Sequence, residues 1–219
     1  MKFKIFLFLF FIQFIWAMEC KQVDPKSILN QMDLKPEEVI YKDEKIVEIF
    51  VVSEDKNRKI SIPTTIVCLQ DLTRLVLRNV QISEVSEALG LLPHLYELDL
   101  SKNKVKTLPN GLKKAGNLRI LHLEDNEISR FPQVLLQMPK LQELNLKKNH
   151  LQEIPWEIKQ MKNLVILNLS FNRFYGFPGQ VLVQMENLRE LYWLGNVQIH
   201  QKLLAYINRE SPQLEIYLE

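Results

Sequence analysis

At 219 residues the chain has room for one good-sized domain or two small ones, and 47% hydrophobic with 25% charged residues is ordinary for a soluble globular protein. The net charge is +2, an excess that Lys2 and Lys4 account for, and no run of like charge exceeds a few residues. Nucleic-acid affinity rests on neutralised phosphates, so a balanced chain without a basic patch excludes that partner class.

The first element is a short positive start, Lys2 and Lys4, followed by the greasy run Ile5 to Trp16, broken only by Gln13, and then the small Ala17. That is the plan of a secretory signal peptide, so residues 1–17 are read as one. The run is shorter than the ~20 apolar residues of a spanning helix, and no membrane span is expected after cleavage. The implied location is secreted or cell-surface/periplasmic. Residues 18–48 follow, without a leucine pattern; Ser27-Ile28-Leu29 starts a short helix, and the stretch reads as an N-terminal cap. Cys20 and Cys68 are the only cysteines. In an oxidising compartment they can pair, but spacing alone does not establish the geometry a disulfide needs.

From Leu72 the sequence repeats itself. LTRLVLRNVQI, LYELDLSKNKV, LRILHLEDNEI, LQELNLKKNHL and LVILNLSFNRF begin at Leu72, Leu95, Leu118, Leu141 and Leu164, 23 residues apart, and LRELYWLGNVQ begins at Leu188 after a 24-residue unit. Within each L-x-L the side chains alternate across a strand, so Leu98 and Leu100 point inward while Glu97, Asp99 and Ser101 are expected to point out. Each buried leucine stabilises by roughly 1.5–3 kcal/mol, and a single unit cannot bury its apolar face alone, so the units must stack. Asn103, Asn126, Asn149, Asn172 and Asn196 form a ladder at the strand ends, replaced by Val80 in the first repeat. Its reading is structural: such amides can satisfy backbone groups in the turn, and an unsatisfied buried group costs ~1–3 kcal/mol. Pro109, Pro132, Pro155 and Pro178 mark the start of the returning segment. Pro63, two periods before Pro109, betrays a degenerate earlier repeat from Ile49 to Asp71. At the far end His200 to Arg209 reads as an amphipathic helix and Leu214 to Leu218 alternates like a last strand, so residues 197–219 form a C-terminal cap and the solenoid is expected to be closed at both ends.

The motif L-x-x-L-x-L-x-x-N-x-L-x-x-L-P-x-x-I over residues 49–219 resembles the 23-residue class of bacterial leucine-rich repeats, and most of all the small secreted proteins of pathogenic spirochaetes. The resemblance implies an α/β solenoid. A curved parallel β-sheet would line its concave face and short helices or 3-10 turns its convex face, with six clear repeats plus one degenerate N-terminal repeat. It also implies export and engagement of host extracellular or surface proteins. The motif is specific for fold and not for function, since the same repeat serves many partners.

Ligands of solenoids sit on the outward strand positions, which should be polar unless used. Ile166, Phe171, Tyr192 and Leu194 break that rule together, with Ile120 further up. With the polar residues His122, Glu124, Asn145 and Asn168 they make the candidate protein-binding face. Six strands ~4.8 Å apart and four residues long offer a flat area of only ~300 Å², well under the ~800 Å² per partner of a standard interface, so loops must contribute or the ligand is small. His122 with Glu124 and Asp125 is the one cluster that invites chemistry. A metal site wants more histidine or thiolate ligands, and a hydrolase wants a nucleophile with an oriented base. No enzyme activity, metal or cofactor is expected. The competing reading is a structural component of the cell envelope that self-associates through exposed sheet edges or its concave face, and the pattern does not specify an oligomeric state.

Overall fold

The computed structural model describes residues 20–218. The segment read as a signal peptide, residues 1–17, lies outside them. Among the described residues a single sheet of nine strands runs in chain order: β1 (Val39–Lys42), β2 (Lys45–Val52), β3 (Arg74–Arg78), β4 (Glu97–Asp99), β5 (Ile120–His122), β6 (Glu143–Asn145), β7 (Ile166–Asn168), β8 (Glu190–Tyr192) and β9 (Glu215–Tyr217). Strands β2 to β9 pair in parallel, one per repeat, and β1 pairs with β2 antiparallel. This is the leucine-rich-repeat solenoid that the leucine spacing anticipates.

The register shows why the leucines recur. Ile49, Leu75, Leu98, Leu121, Leu144, Leu167, Leu191 and Ile216 lie side by side across the sheet. All but Ile216 are fully buried. Ile49 and Val51 hold the places of Leu75 and Leu77, so the degenerate repeat keeps the apolar column after losing its leucines. In the last full repeat Trp193 takes a leucine site. It packs on Phe174 and Phe177 with centroids 4.7 and 4.9 Å away, and its indole N–H donates to the carbonyl of Val197.

The returning segments are mostly 3-10 turns of five residues: Thr64–Cys68, Glu87–Leu91, Asn110–Lys114, Gln133–Gln137 and Trp156–Gln160. Pro63, Pro109, Pro132 and Pro155 sit at their N-caps with φ near −70°. A 23-residue unit leaves little chain for the return, and a tight turn uses it economically. The 24-residue unit has room for a short α-helix, Gly179–Leu182. Between the second and third turns the backbones touch: a Cβ on Gly90 would lie 2.0 Å from the carbonyl oxygen of Gly111.

Both ends are covered. Helix α1 (Pro25–Gln31), capped by Asp24 accepting from the Lys26 N–H, buries Ile28 and Leu29. The β1–β2 hairpin and the ion pair of Arg58 with Glu38 complete the N-terminal end, and β2 straddles the expected boundary between residues 48 and 49. Cys20 and Cys68 are joined by a disulfide across 48 residues, which ties this end to the first 3-10 turn. At the other end the helix Gln201–Glu210, N-capped by His200, buries Ile207, and β9 adds the last strand.

Candidate functional site

The face that could bind is built by the asparagine ladder, which sets the spacing between strand ends. Asn126 donates through Nδ2 to the carbonyls of Leu100 and Leu123, at 3.0 and 3.1 Å, and its Oδ1 accepts from the N–H of Val105. Each amide therefore stitches its own repeat to the preceding one. Asn103, Asn149, Asn172 and Asn196 make the same bonds to carbonyls. Asn103 Oδ1 also accepts from the N–H groups of both Val80 and Ile82, and in the first repeat, which has Val80 in place of an asparagine, the Val80 carbonyl accepts from the Ile60 N–H.

Two rows of side chains cross the outward face. One runs Glu48, Arg74, Glu97, Ile120, Glu143, Ile166, Glu190, Glu215, and the other Phe50, Val76, Asp99, His122, Asn145, Asn168, Tyr192, Tyr217. Asp99 and Ser101, expected to face solvent, are buried, as is Ser170. Asp99 is covered because Arg78 and His122 close over it at 3.7 and 3.9 Å, and it also accepts from the Ser101 N–H. Ser170 is covered because its hydroxyl accepts from the N–H of Leu194. Asn145 and Asn168 use their Oδ1 in the same local way as Asp99, accepting from Lys147 and Ser170. Their recurrence thus has a structural cause beside any role in binding.

The cluster that invited chemistry does not assemble. His122 reaches Asp99 and Glu143, with Nε2 2.7 Å from Glu143 Oε1, whereas Glu124 turns to Lys147 at 3.4 Å. Burial alone would lower the pKa of His122, but the two carboxylates outweigh it and hold the imidazole up at about 8. Desolvation likewise opposes the ionised form of Asp99, yet His122, Ser101 and Arg78 keep its pKa below the ordinary value. The arrangement is an ion-pair chain, and it offers no nucleophile. Among the described residues no group of histidine, cysteine and carboxylate side chains is spaced to hold a metal.

The apolar candidates gather at the C-terminal part of the face. Phe171 is 46% exposed at a φ of +56°, a left-handed conformation that bulky side chains rarely adopt. The repeat imposes it: Lys102, Asp125 and Lys148 at the equivalent positions, and Gly195 in the next repeat, share it. A Cβ on Gly195 would stand 2.4 Å from the Phe171 ring, so the ring occupies the space that the next repeat leaves empty. Leu194, whose carbonyl accepts from the Phe171 N–H, is half-buried, as are Ile166 and Tyr192 on the same part of the face and Ile120 further along. Tyr192 stacks on Tyr217 with centroids 4.5 Å apart. Each hydroxyl donates to a carboxylate at 2.7 Å, Glu190 for Tyr192 and Glu215 for Tyr217, and this raises both phenol pKa values, that of Tyr192 to about 12.

Sequence reasoning missed three contributors. Phe50 and Val52 extend the face at the N-terminal end, 43% and 52% exposed, and Tyr217 extends it at the other. The signal was present in the alternation of Ile49-Phe50-Val51-Val52 and in the echo of Glu190/Tyr192 by Glu215/Tyr217. With nine strands the sheet spans ~38 Å rather than ~24 Å, which eases the size limit. A cavity of about 1400 Å³ lies off this face, against Ile62, Val85 and Leu91, and one of about 660 Å³ borders the N-terminal part of the face at Glu48, Arg74 and Glu97; none of the residues picked from the sequence lines either.

A stacked parallel sheet with an open, mixed polar and aromatic face defines a repeat scaffold of the protein-interaction type. The chain belongs to the leucine-rich-repeat family: the family's profile matches residues 70–128, 93–151 and 139–196, more than half the chain. A leucine-rich-repeat protein of Leptospira interrogans is 29% identical over 78% of this chain, with a TM-score of 0.55. The ectodomain of the Arabidopsis thaliana receptor kinase GASSHO1/SCHENGEN3, solved with CASPARIAN STRIP INTEGRITY FACTOR 2, is 26% identical over 79%, with a TM-score of 0.63. Internalin C2 of Listeria monocytogenes, at 20% identity over 79% of this chain and 71% of its own, with a TM-score of 0.61, shares the fold. The chain spans 36% of the Leptospira protein and 21% of the plant receptor. No curated protein matches it in sequence. Bacterial repeat proteins are thus among its structural neighbours, and the fold is generally a non-enzymatic binding scaffold. No helix among the described residues is long and apolar enough to cross a membrane.

Proposed function

We propose that this chain is an exported, non-enzymatic module that binds a protein ligand, a host extracellular or surface protein, on the C-terminal part of its concave sheet. The observation that carries the reading is Phe171: a half-exposed aromatic ring held in a left-handed backbone position, with Gly195 vacating the space beside it. Exposed aromatic anchors dominate protein interfaces, and this ring stands at a repeat position where the others carry Lys102, Asp125 and Lys148. Ile166, Tyr192 and Leu194 supply the neighbouring apolar area, with Ile120, His122, Glu124, Asn145 and Asn168 as the rim. The run Ile5 to Trp16 supports export through a signal peptide at residues 1–17, and the 23-residue unit supports kinship with spirochaetal secreted repeat proteins. The test is capture of host extracellular and serum proteins by the wild type and by Ile166→Ser/Phe171→Ser. Loss of capture with an unchanged melting temperature is expected; retained capture sinks the reading.

One observation favours self-association in the envelope as a second reading. The outer strand β1 exposes Ile40 and Tyr41, at 47% and 48%, and sheet edges are pairing sites unless blocked. Light scattering on the purified chain separates the two, because a stable oligomer that Tyr41→Lys dissolves belongs to this reading alone.

A further inference from the structure

The two ends of the concave face use their charges differently. Towards the N-terminus Arg74 lies between Glu48 and Glu97, at 3.9 and 2.9 Å, Arg78 faces Asp99 at 3.7 Å, and in the middle Lys147 meets Glu124 at 3.4 Å. Glu190 and Glu215 stand in the same row as Glu48 and Glu97. Among the described residues no cation comes within 4.0 Å of either. Their side-chain partners are the hydroxyls of Tyr192 and Tyr217, and each such bond leaves most of the carboxylate lone pairs free. The two rings, stacked at an interplanar angle of 10°, form an aromatic wall beside the two carboxylates.

We infer that this third of the face docks an extended peptide segment of the partner that sets an arginine or lysine against Glu190 and Glu215 and an apolar side chain against Phe171. The inference rests on the proposed protein-binding role and supplies its chemistry. Carboxylates on neighbouring strands, ~4.8 Å apart, repel each other without a counter-ion. A guanidinium relieves both, because its fork matches carboxylate geometry and its plane stacks on a tyrosine ring. From the level of Ile166, beside Glu190, to Phe171 is five residues of chain, so the cation and the apolar group lie within one short extended segment. The same two carboxylates repel an acidic segment, which turns affinity into selectivity.

The test selects random dodecapeptides displayed on phage against the immobilised full chain and reads the sequences recovered. Lysine and arginine should be enriched, with an apolar residue a few positions away. The enrichment should vanish on Glu190→Gln/Glu215→Gln, which keeps an acceptor for each tyrosine hydroxyl, and turn towards Asp and Glu on Glu190→Lys/Glu215→Lys. In a selected peptide, citrulline in place of arginine should weaken Kd about tenfold, the scale of one charge-assisted contact. Peptides without basic bias, a bias that survives charge reversal, or no enrichment over the input library overturns the inference. Neutral peptides whose recovery still depends on Phe171 leave the protein-binding role standing while removing its cationic chemistry. Loss of protein capture and of all peptide recovery removes both.

Discussion

The two halves of the concave face rest on one repeat and yet have opposite surfaces. From β2 to β6 the charged side chains largely answer one another: Glu48, Arg74 and Glu97 form one chain, and Arg78, Asp99, His122 and Glu143 another. From β7 to β9 the face carries Ile166, Phe171, Tyr192, Leu194 and Tyr217 with two carboxylates that lack a cation. Because an apolar column runs through both halves and the asparagine ladder is interrupted only at Val80, the shared backbone is not the source of the difference. Stability belongs to the inward periodic positions, and recognition belongs to the outward ones, which are free to vary.

Changes that break the shared framework should have the largest effect and touch both halves. Asn126→Ala orphans the Val105 N–H and takes away one of the two amide donors that each of the Leu100 and Leu123 carbonyls has, Asn103 and Asn149 keeping the other. At ~1–3 kcal/mol for the orphaned N–H and ~1 kcal/mol for each lost bond to a carbonyl, a loss of ~3 kcal/mol or more is expected in urea unfolding. Gly90→Ala acts in the N-terminal half alone. Its Cβ would meet the Gly111 oxygen at 2.0 Å, so the two turns must part, and overpacking of this kind costs ~1–3 kcal/mol. Ligand capture by the folded protein should survive that change, which separates the halves.

His122 gives a smaller, pH-dependent effect at the centre of the face. Its folded pKa of about 8 lies above the ordinary 6.5, so the stabilisation is fully present below pH ~6.5 and is lost as pH rises through 8. The imidazole is about a quarter exposed, and solvent screening reduces the effect to ~1 kcal/mol. Stability measured from pH 6 to 9 should fall by that amount in the wild type and stay flat in His122→Gln. An equal slope in both would remove His122 as its source.

Much of the framework was legible in the sequence. The leucine spacing gave strand positions and inward faces, Ile49 and Pro63 revealed the worn first repeat, and the alternation of Leu214 to Leu218 revealed the last strand. The less legible parts depend on contacts between repeats. β1 is four residues long and outside the period, so no pattern announced it. Asp99 and Ser101 are covered by side chains and turns that only stacking brings near. His122 finds Asp99, 23 residues back and thus one rung away, rather than Glu124 beside it in sequence. On a strand, residues two apart share a face, but the nearest partners lie across the ladder.

The central claim is that binding resides in the C-terminal half, and it is tested most directly by comparing two double variants in one capture assay. Phe50→Ser/Val52→Ser and Ile166→Ser/Phe171→Ser each remove two apolar side chains from the outward face and leave the buried column intact. Ligand capture should persist in the first pair and disappear in the second, with both melting temperatures close to that of the wild type. Capture lost in the first pair and kept in the second would contradict the account.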